Sequence, residues 1–251
     1  MSSWGKKRRN FILFLFTFFI LVLLGVYLFI IYSVEPTCFD NKRNGDETGV
    51  DCGGSCKLIC DGQAIEPIIH WSRYFEIIPG FYNAVAYIEN LNSDSGVNSA
   101  QYKITLYDSK NFPLETRVGT IRIRPREIIP IFEPALNTGQ LIPVRSTFEF
   151  TNNLVWEKMQ PRDRYLQITK QRFFEVDGLP RISAEITNTS INRANNISII
   201  VVVYDSDSNT ITTSSTLVET LNKDETKQFV YTWPQKFPRE MSRFEIIPLY
   251  E

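Results

Sequence analysis

Gln101-Tyr102-Lys103-Ile104-Thr105-Leu106-Tyr107-Asp108 alternates polar and apolar side chains along most of its length. The alternation puts Tyr102, Ile104 and Leu106 on one face of a strand. Leu106-Tyr107-Asp108-Ser109 returns as Val203-Tyr204-Asp205-Ser206, 97 positions further on. The run that leads into this second copy, Ile197–Val203, is apolar almost throughout. Such a run predicts a strand covered on both faces or central in a sandwich.

Two further landmarks extend the repeat. Upstream, Ala86-Tyr87-Ile88-Glu89-Asn90 matches Ala184-Glu185-Ile186-Thr187-Asn188. Downstream, Phe132 and Phe229 each follow their Asp by 24 residues. Other strand-like stretches are Thr120–Arg124, Arg145–Phe150, Thr226–Thr232 and Arg243–Ile247. They are rich in Ile, Val, Phe, Tyr and Thr and separated by Asn, Asp, Ser, Gly and Pro. Units of this length suit an immunoglobulin-like β-sandwich of about seven short strands. The Cys…Trp…Cys pattern of antibody domains is absent.

Ile104-Thr105-Leu106-Tyr107-Asp108 and Val201-Val202-Val203-Tyr204-Asp205 resemble the naming motif of the FxLYD-type and related immunoglobulin-like modules of bacterial exported proteins. The initial Phe is replaced by Ile104 and Val201. The resemblance implies a fold and an exported setting, and no chemistry. For the Tyr-Asp pairs themselves, a structural role is expected. Asp at a strand end caps the next turn, and Tyr lies on the sheet with its hydroxyl at the edge.

Location comes from the N-terminus. Phe11–Tyr32 holds 22 uncharged residues, interrupted only by Thr17 and Gly25, behind Lys6-Lys7-Arg8-Arg9. As a helix it spans about 33 Å, enough for a bilayer core of about 30 Å. The bulky residues before Ser33 and the Glu35-Pro36-Thr37 before Cys38 suit neither a signal-peptidase nor a lipoprotein site. The basic flank predicts a cytoplasmic N-terminus with residues 33–251 outside. Trp4 and Tyr32 flank the run at the two expected interfaces.

All four cysteines, Cys38, Cys52, Cys56 and Cys60, fall in one short window. In an exported segment they read as two disulfides, with three pairings open. Cys52-x3-Cys56-x3-Cys60 is a poor zinc spacing without a nearby His. Asp40–Asp51 overlays a calcium loop, with Asp40 first, Asn44 fifth, Gly45 at the sharp turn and Asp51 twelfth. Calcium at Asp40, Asn44, Asp46 and Asp51 is therefore the one cofactor the sequence suggests. Lys42 stands where a third oxygen is wanted, and a solvated acidic turn is the competing reading. The string Asn44-Gly45-Asp46-Glu47-Thr48-Gly49-Val50-Asp51-Cys52-Gly53-Gly54 resembles a short Cys/Asp/Gly-rich element of bacterial surface and secreted proteins. That resemblance implies cell-surface company, with Cys60 set further on than its pattern.

Setting aside the four basic residues of positions 1–32, the exterior part has 23 basic and 28 acidic residues, a balance of −5. That excludes a basic stripe for nucleic acid. His70, beside Trp71, is the only histidine, and no nucleophile elbow, phosphate loop or His-rich zinc motif accompanies it. Asn188-Thr189-Ser190 and Asn196-Ile197-Ser198 match the glycosylation sequon and read as coincidental in a bacterial protein.

The expected fold is mainly β, with an N-terminal transmembrane helix, a short disulfide-bonded stem and two tandem immunoglobulin-like β-sandwiches. The segments are a basic tail 1–10, a helix 11–32, a stem 33–63, a first module 64–151, a linker 152–163 and a second module 164–251. The expected function is non-enzymatic: a binding or scaffolding module at the cell envelope. Its partners are the bilayer, through residues 11–32, and an envelope protein or surface polymer. Alternatives are a calcium-stabilised stem and spacer, or a hydrolase with an unrecognised site.

Overall fold

The computed structural model describes residues 3–33 and 35–250. Positions 1, 2, 34 and 251, which fall in the predicted tail, stem and second module, lie outside the described residues, as do the side chains of Lys6 and Tyr32. The chain divides into two compact units, Met1–Lys57 and Leu58–Glu251.

The first unit begins with the helix α1, Ser3–Ser33. Every side chain from Phe11 to Ile30 is exposed, so the helix has no polar face to turn to water. Thr17 donates its hydroxyl to the carbonyls of Leu13 and Phe14, each at 3.0 Å, so that hydroxyl is satisfied within the helix. Lys7–Ile30, with a mean hydropathy of 2.9, is long and apolar enough to cross a membrane. A loop-rich segment follows. Cys38 and Cys56 form a disulfide, with Cα atoms 5.6 Å apart. Cys52 and Cys60 are disulfide-bonded too, so two disulfides account for all four thiols.

The second unit is all strands: β1 Ile68–Ile78, β2 Phe81–Asn90, β3 Ser95–Tyr107, β4 Pro113–Ile123, β5 Glu127–Asn137, β6 Arg145–Phe150, β7 Trp156–Lys158, β8 Leu166–Val176, β9 Leu179–Asn188, β10 Ala194–Tyr204, β11 Thr210–Leu221, β12 Thr226–Thr232 and β13 Arg243–Leu249. Four antiparallel sheets result, ordered β1-β2-β5, β4-β3-β6, β8-β9-β12 and β11-β10-β13. Advancing each number in the first two sheets by seven reproduces the last two.

Each pair of sheets closes on its own core. One core gathers Ala84, Ala86 and Ile88 of β2 with Ile104 and Leu106 of β3. The other gathers Ile182, Ala184 and Ile186 of β9 with Ile197, Ile199, Val201 and Val203 of β10. A third cluster joins the two halves. Ile200, Val202 and Tyr204, on the opposite face of β10, pack against Trp71, Tyr87, Phe132 and Leu249. The continuous apolar run of β10 is thus explained by cover on both faces. Burying each of Ile200 and Val202 contributes on the order of 2 kcal/mol.

Register corrects one landmark. Ala86 stands opposite Ile131, and its counterpart Ala184 stands opposite Phe229. Phe229 therefore corresponds to Ile131, not to Phe132. A one-residue offset turns a strand's side chain to the other face, and Phe132 lies in the cluster between the halves while Phe229 lies in a core.

Two boundaries also differ from the expected ones. Residues 58–63, assigned to the stem, fall in the second unit, where the Ile59 N–H donates to the Trp156 carbonyl at 2.9 Å. Within the predicted linker, Trp156–Lys158 pairs with Ser95–Val97, and Trp156 is buried.

Candidate functional site

Around the proposed calcium positions, the carboxylates take main-chain and side-chain donors. Asp51 accepts from the Asp40 N–H at 3.0 Å and the Asn41 N–H at 2.9 Å. Asp40 accepts from the Lys42 N–H at 2.9 Å and the Asn44 amide at 2.7 Å. Asp46 is turned to the Ser55 hydroxyl, 2.7 Å away. The structure thus links Asp40, Asn44 and Asp51 through hydrogen bonds.

Glu47, which sequence reasoning did not single out, is the buried acid of this segment, accepting from the N–H groups of Asn44 and Asp51. Among the described residues, one cluster of three metal-type ligands occurs, Cys38, Glu47 and Cys56, and its two sulfurs are joined in the disulfide. The Asp-Cys-Gly-Gly string has a steric reason. Gly53 and Gly54 have φ of +73° and +54°, and a Cβ on Gly54 would stand 2.1 Å from the Asp46 carbonyl oxygen.

The repeated motifs build matching turns. Asp108 accepts from the N–H groups of Lys110 at 2.9 Å and Phe112 at 2.8 Å. Asp205 does the same with Asp207 at 3.1 Å and Asn209 at 2.8 Å. Arg145 lies over the Tyr107 ring at 4.3 Å, and Arg243 over Tyr204 at 3.8 Å, each pair directly opposite across two strands. Arg239, 2.8 Å from Asp205, holds that carboxyl below its ordinary value.

Asn90 and Asn188 are fully buried staples. Asn90 donates to the carbonyls of Ser95 and Arg124, both at 2.9 Å. Asn188 donates to those of Asn192 at 2.8 Å and Leu221 at 2.9 Å. The Asn188 side-chain oxygen accepts from the N–H and hydroxyl of Ser190. His70 lies in β1 and pairs with Glu89 on β2 at 2.8 Å.

A cleft of about 820 Å³ opens in the second unit where the two halves meet. Leu91, Ile128, Pro161, Ile168 and Pro248 supply apolar wall, and Arg126 and Arg164 supply charge. Such a volume suits a small ligand or a short segment. Arg126 sits at a turn with φ +53°. Arg162 pairs with Glu127 at 2.7 Å, both largely buried, and lies over the Tyr250 ring at 4.6 Å. The Tyr250 hydroxyl donates to the Asp163 carbonyl, which ties down the segment between the halves. Burial at this tie pushes the Tyr250 hydroxyl up from its usual range.

Sequence reasoning did not single out these arginines as a group. The signal was present: Arg122, Arg124, Arg126, Arg162 and Arg164 crowd two short stretches of a net acidic region. No protein-family model matches the chain, and no curated protein matches it.

Proposed function

We propose that this chain is a single-pass membrane protein whose disulfide-bonded stem and two immunoglobulin-like, FxLYD-like sandwiches lie outside the membrane and serve as a non-enzymatic binding or scaffolding module of the cell envelope. One observation carries the reading: a helix apolar on every face, behind a basic flank, leads into a segment whose cysteines are all oxidised. Only lipid or an apolar partner suits such a helix, and persistent disulfides belong to oxidising compartments. The repeated sheet order and the repeated Tyr-Asp turns support a duplicated sandwich. The shared apolar layer around Val202 supports a rigid pair in place of two beads on a string.

The test is cross-linking of the full chain in intact cells, followed by affinity recovery from detergent extract. Recovery of one reproducible envelope component supports the reading. Recovery of none beyond that seen with the helix alone contradicts it.

A further inference from the structure

We infer that the cleft between the two halves binds an anionic lipid, with its phosphate held by Arg126 and Arg164 and its apolar part against Leu91, Ile128 and Ile168. The inference rests on the membrane-anchored reading above and names the ligand class of that module.

The first argument is charge. Three charged side chains besides Arg126 and Arg164 line the cleft, Glu89, Glu127 and Arg162, and each has a partner. Glu89 is taken by His70 at 2.8 Å, and Glu127 by Arg162 at 2.7 Å. Arg126 and Arg164 have neither an ion pair nor a side-chain hydrogen bond among the described residues. Two guanidinium groups without a carboxylate partner thus face one cleft whose lining holds three arginines against two carboxylates, in an exterior region whose balance is −5. Guanidinium forks match phosphate oxygens in pairs, which favours an anion of that kind.

Chemistry of the wall comes second. Aliphatic and proline side chains dominate it, so a fully hydrated anion such as free phosphate would leave most of the cleft unmatched. Leu91 and Ile128 remain 49% and 42% exposed, apolar surface that an acyl chain would cover. The ligand therefore needs a charged head and an apolar body.

An extended peptide is the rival occupant, and the strand edges at the cleft disfavour it. β5, β8 and β13 are each the end strand of their sheets. β5 carries Pro130 and Pro134, and β13 carries Pro248, which lack the donors a new strand needs. β8 is broken by an irregularity between Thr169 and Arg172, with Lys170 at φ +48°.

Access is the last point. Positions 34–57 separate the helix from the second unit. Even fully extended, they span at most about 85 Å. A tether of that order keeps the cleft at high effective concentration relative to the headgroups of the bilayer holding the helix.

The experiment uses the full chain in a neutral maltoside micelle and counts retained lipid by native mass spectrometry. The probe is dihexanoyl phosphatidylglycerol, against dihexanoyl phosphatidylcholine. The expected result is one retained phosphatidylglycerol, preferred at least about tenfold. Arg126→Gln/Arg164→Gln loses that preference with an unchanged thermal transition, while Lys7→Gln/Arg8→Gln beside the helix keeps it. Equal retention of both lipids, or retention unaffected by the cleft variant, overturns the proposal. So does displacement by inorganic phosphate or by the acidic peptide (Glu-Leu)3 at the lipid's own concentration, since either makes the headgroup or a peptide the true ligand. If the lipid result fails while an envelope component is still recovered from cells, the ligand assignment alone falls.

Discussion

β3 and β10 occupy equivalent places in their halves, yet only one of them is apolar on both faces. Lys103 of β3 and Ile200 of β10 are counterparts 97 residues apart, opposite Glu149 and Ile247 respectively. Lys103 forms an ion pair with Glu149 at 2.6 Å in solvent. Ile200 is 2% exposed and packs against the other half. The inner faces are the same: Ile104 and Leu106 on one strand, Val201 and Val203 on the other, all fully buried. A strand's outer face therefore records its second neighbour, and these two strands differ where the halves touch.

The most severe way to break this comparison is to exchange the two counterparts. Ile200→Lys buries an unpaired ammonium between the halves and is expected to cost more than about 4 kcal/mol. Lys103→Ile, in solvent, is expected within about 0.5 kcal/mol of the parent. Denaturant unfolding of the two variants reads both. Similar losses would mean that the third apolar cluster contributes nothing specific.

The shared staples come next. Asn90→Ala and Asn188→Ala each take the donor from one buried and one part-buried carbonyl, at a cost of about 2 kcal/mol each. Near-equal effects sharpen the claim that the halves are built alike, and a large inequality breaks it. Chemical denaturation with matched m-values is the measurement.

A smaller effect separates the Tyr-Asp turns. Asp205 is held below its ordinary value of 3.8 by Arg239 and by the N–H groups of Asn209 and Asp207. A depressed folded value means stabilisation that is complete above the unfolded value and lost as pH falls through the folded one. The melting temperature should therefore decline below about pH 4, and Arg239→Gln should flatten that decline. Asp108, which takes the matching N–H donors, has no such arginine partner among the described residues. Smallest of all is calcium. With Asp40 and Asp51 already accepting donors from their own segment, calcium on the order of 1 mM should shift the melting temperature by less than about 1 °C.

Much of the fold was legible because periodicity is local. Arg145–Phe150 and Thr226–Thr232 coincide with β6 and β12, and the alternation around Ile104 named the inner face of β3. The strands not singled out have reasons of their own. β11 is a run of Thr and Ser, several of them buried, and β8 carries charges through an edge irregularity. The Phe132 landmark failed because counting from Asp ignores the loop lengths that set register.

The cleft was hidden for a different reason. Arg126 and Arg164 belong to segments far apart in sequence, and only the packing of one half on the other makes them neighbours. In the cysteine segment the acids were visible, but their N–H donors depend on positive φ at Asn41 and Asp51, +56° and +55°, which spacing does not reveal.

The measurement that bears most directly on the anchored, exported reading is thiol and terminus accessibility in intact cells. An impermeant maleimide should leave Cys38, Cys52, Cys56 and Cys60 unlabelled until a reductant is added, and external protease should remove a tag placed after Glu251. Labelling without reductant, together with a tag cleaved only after the cells are opened, would contradict it.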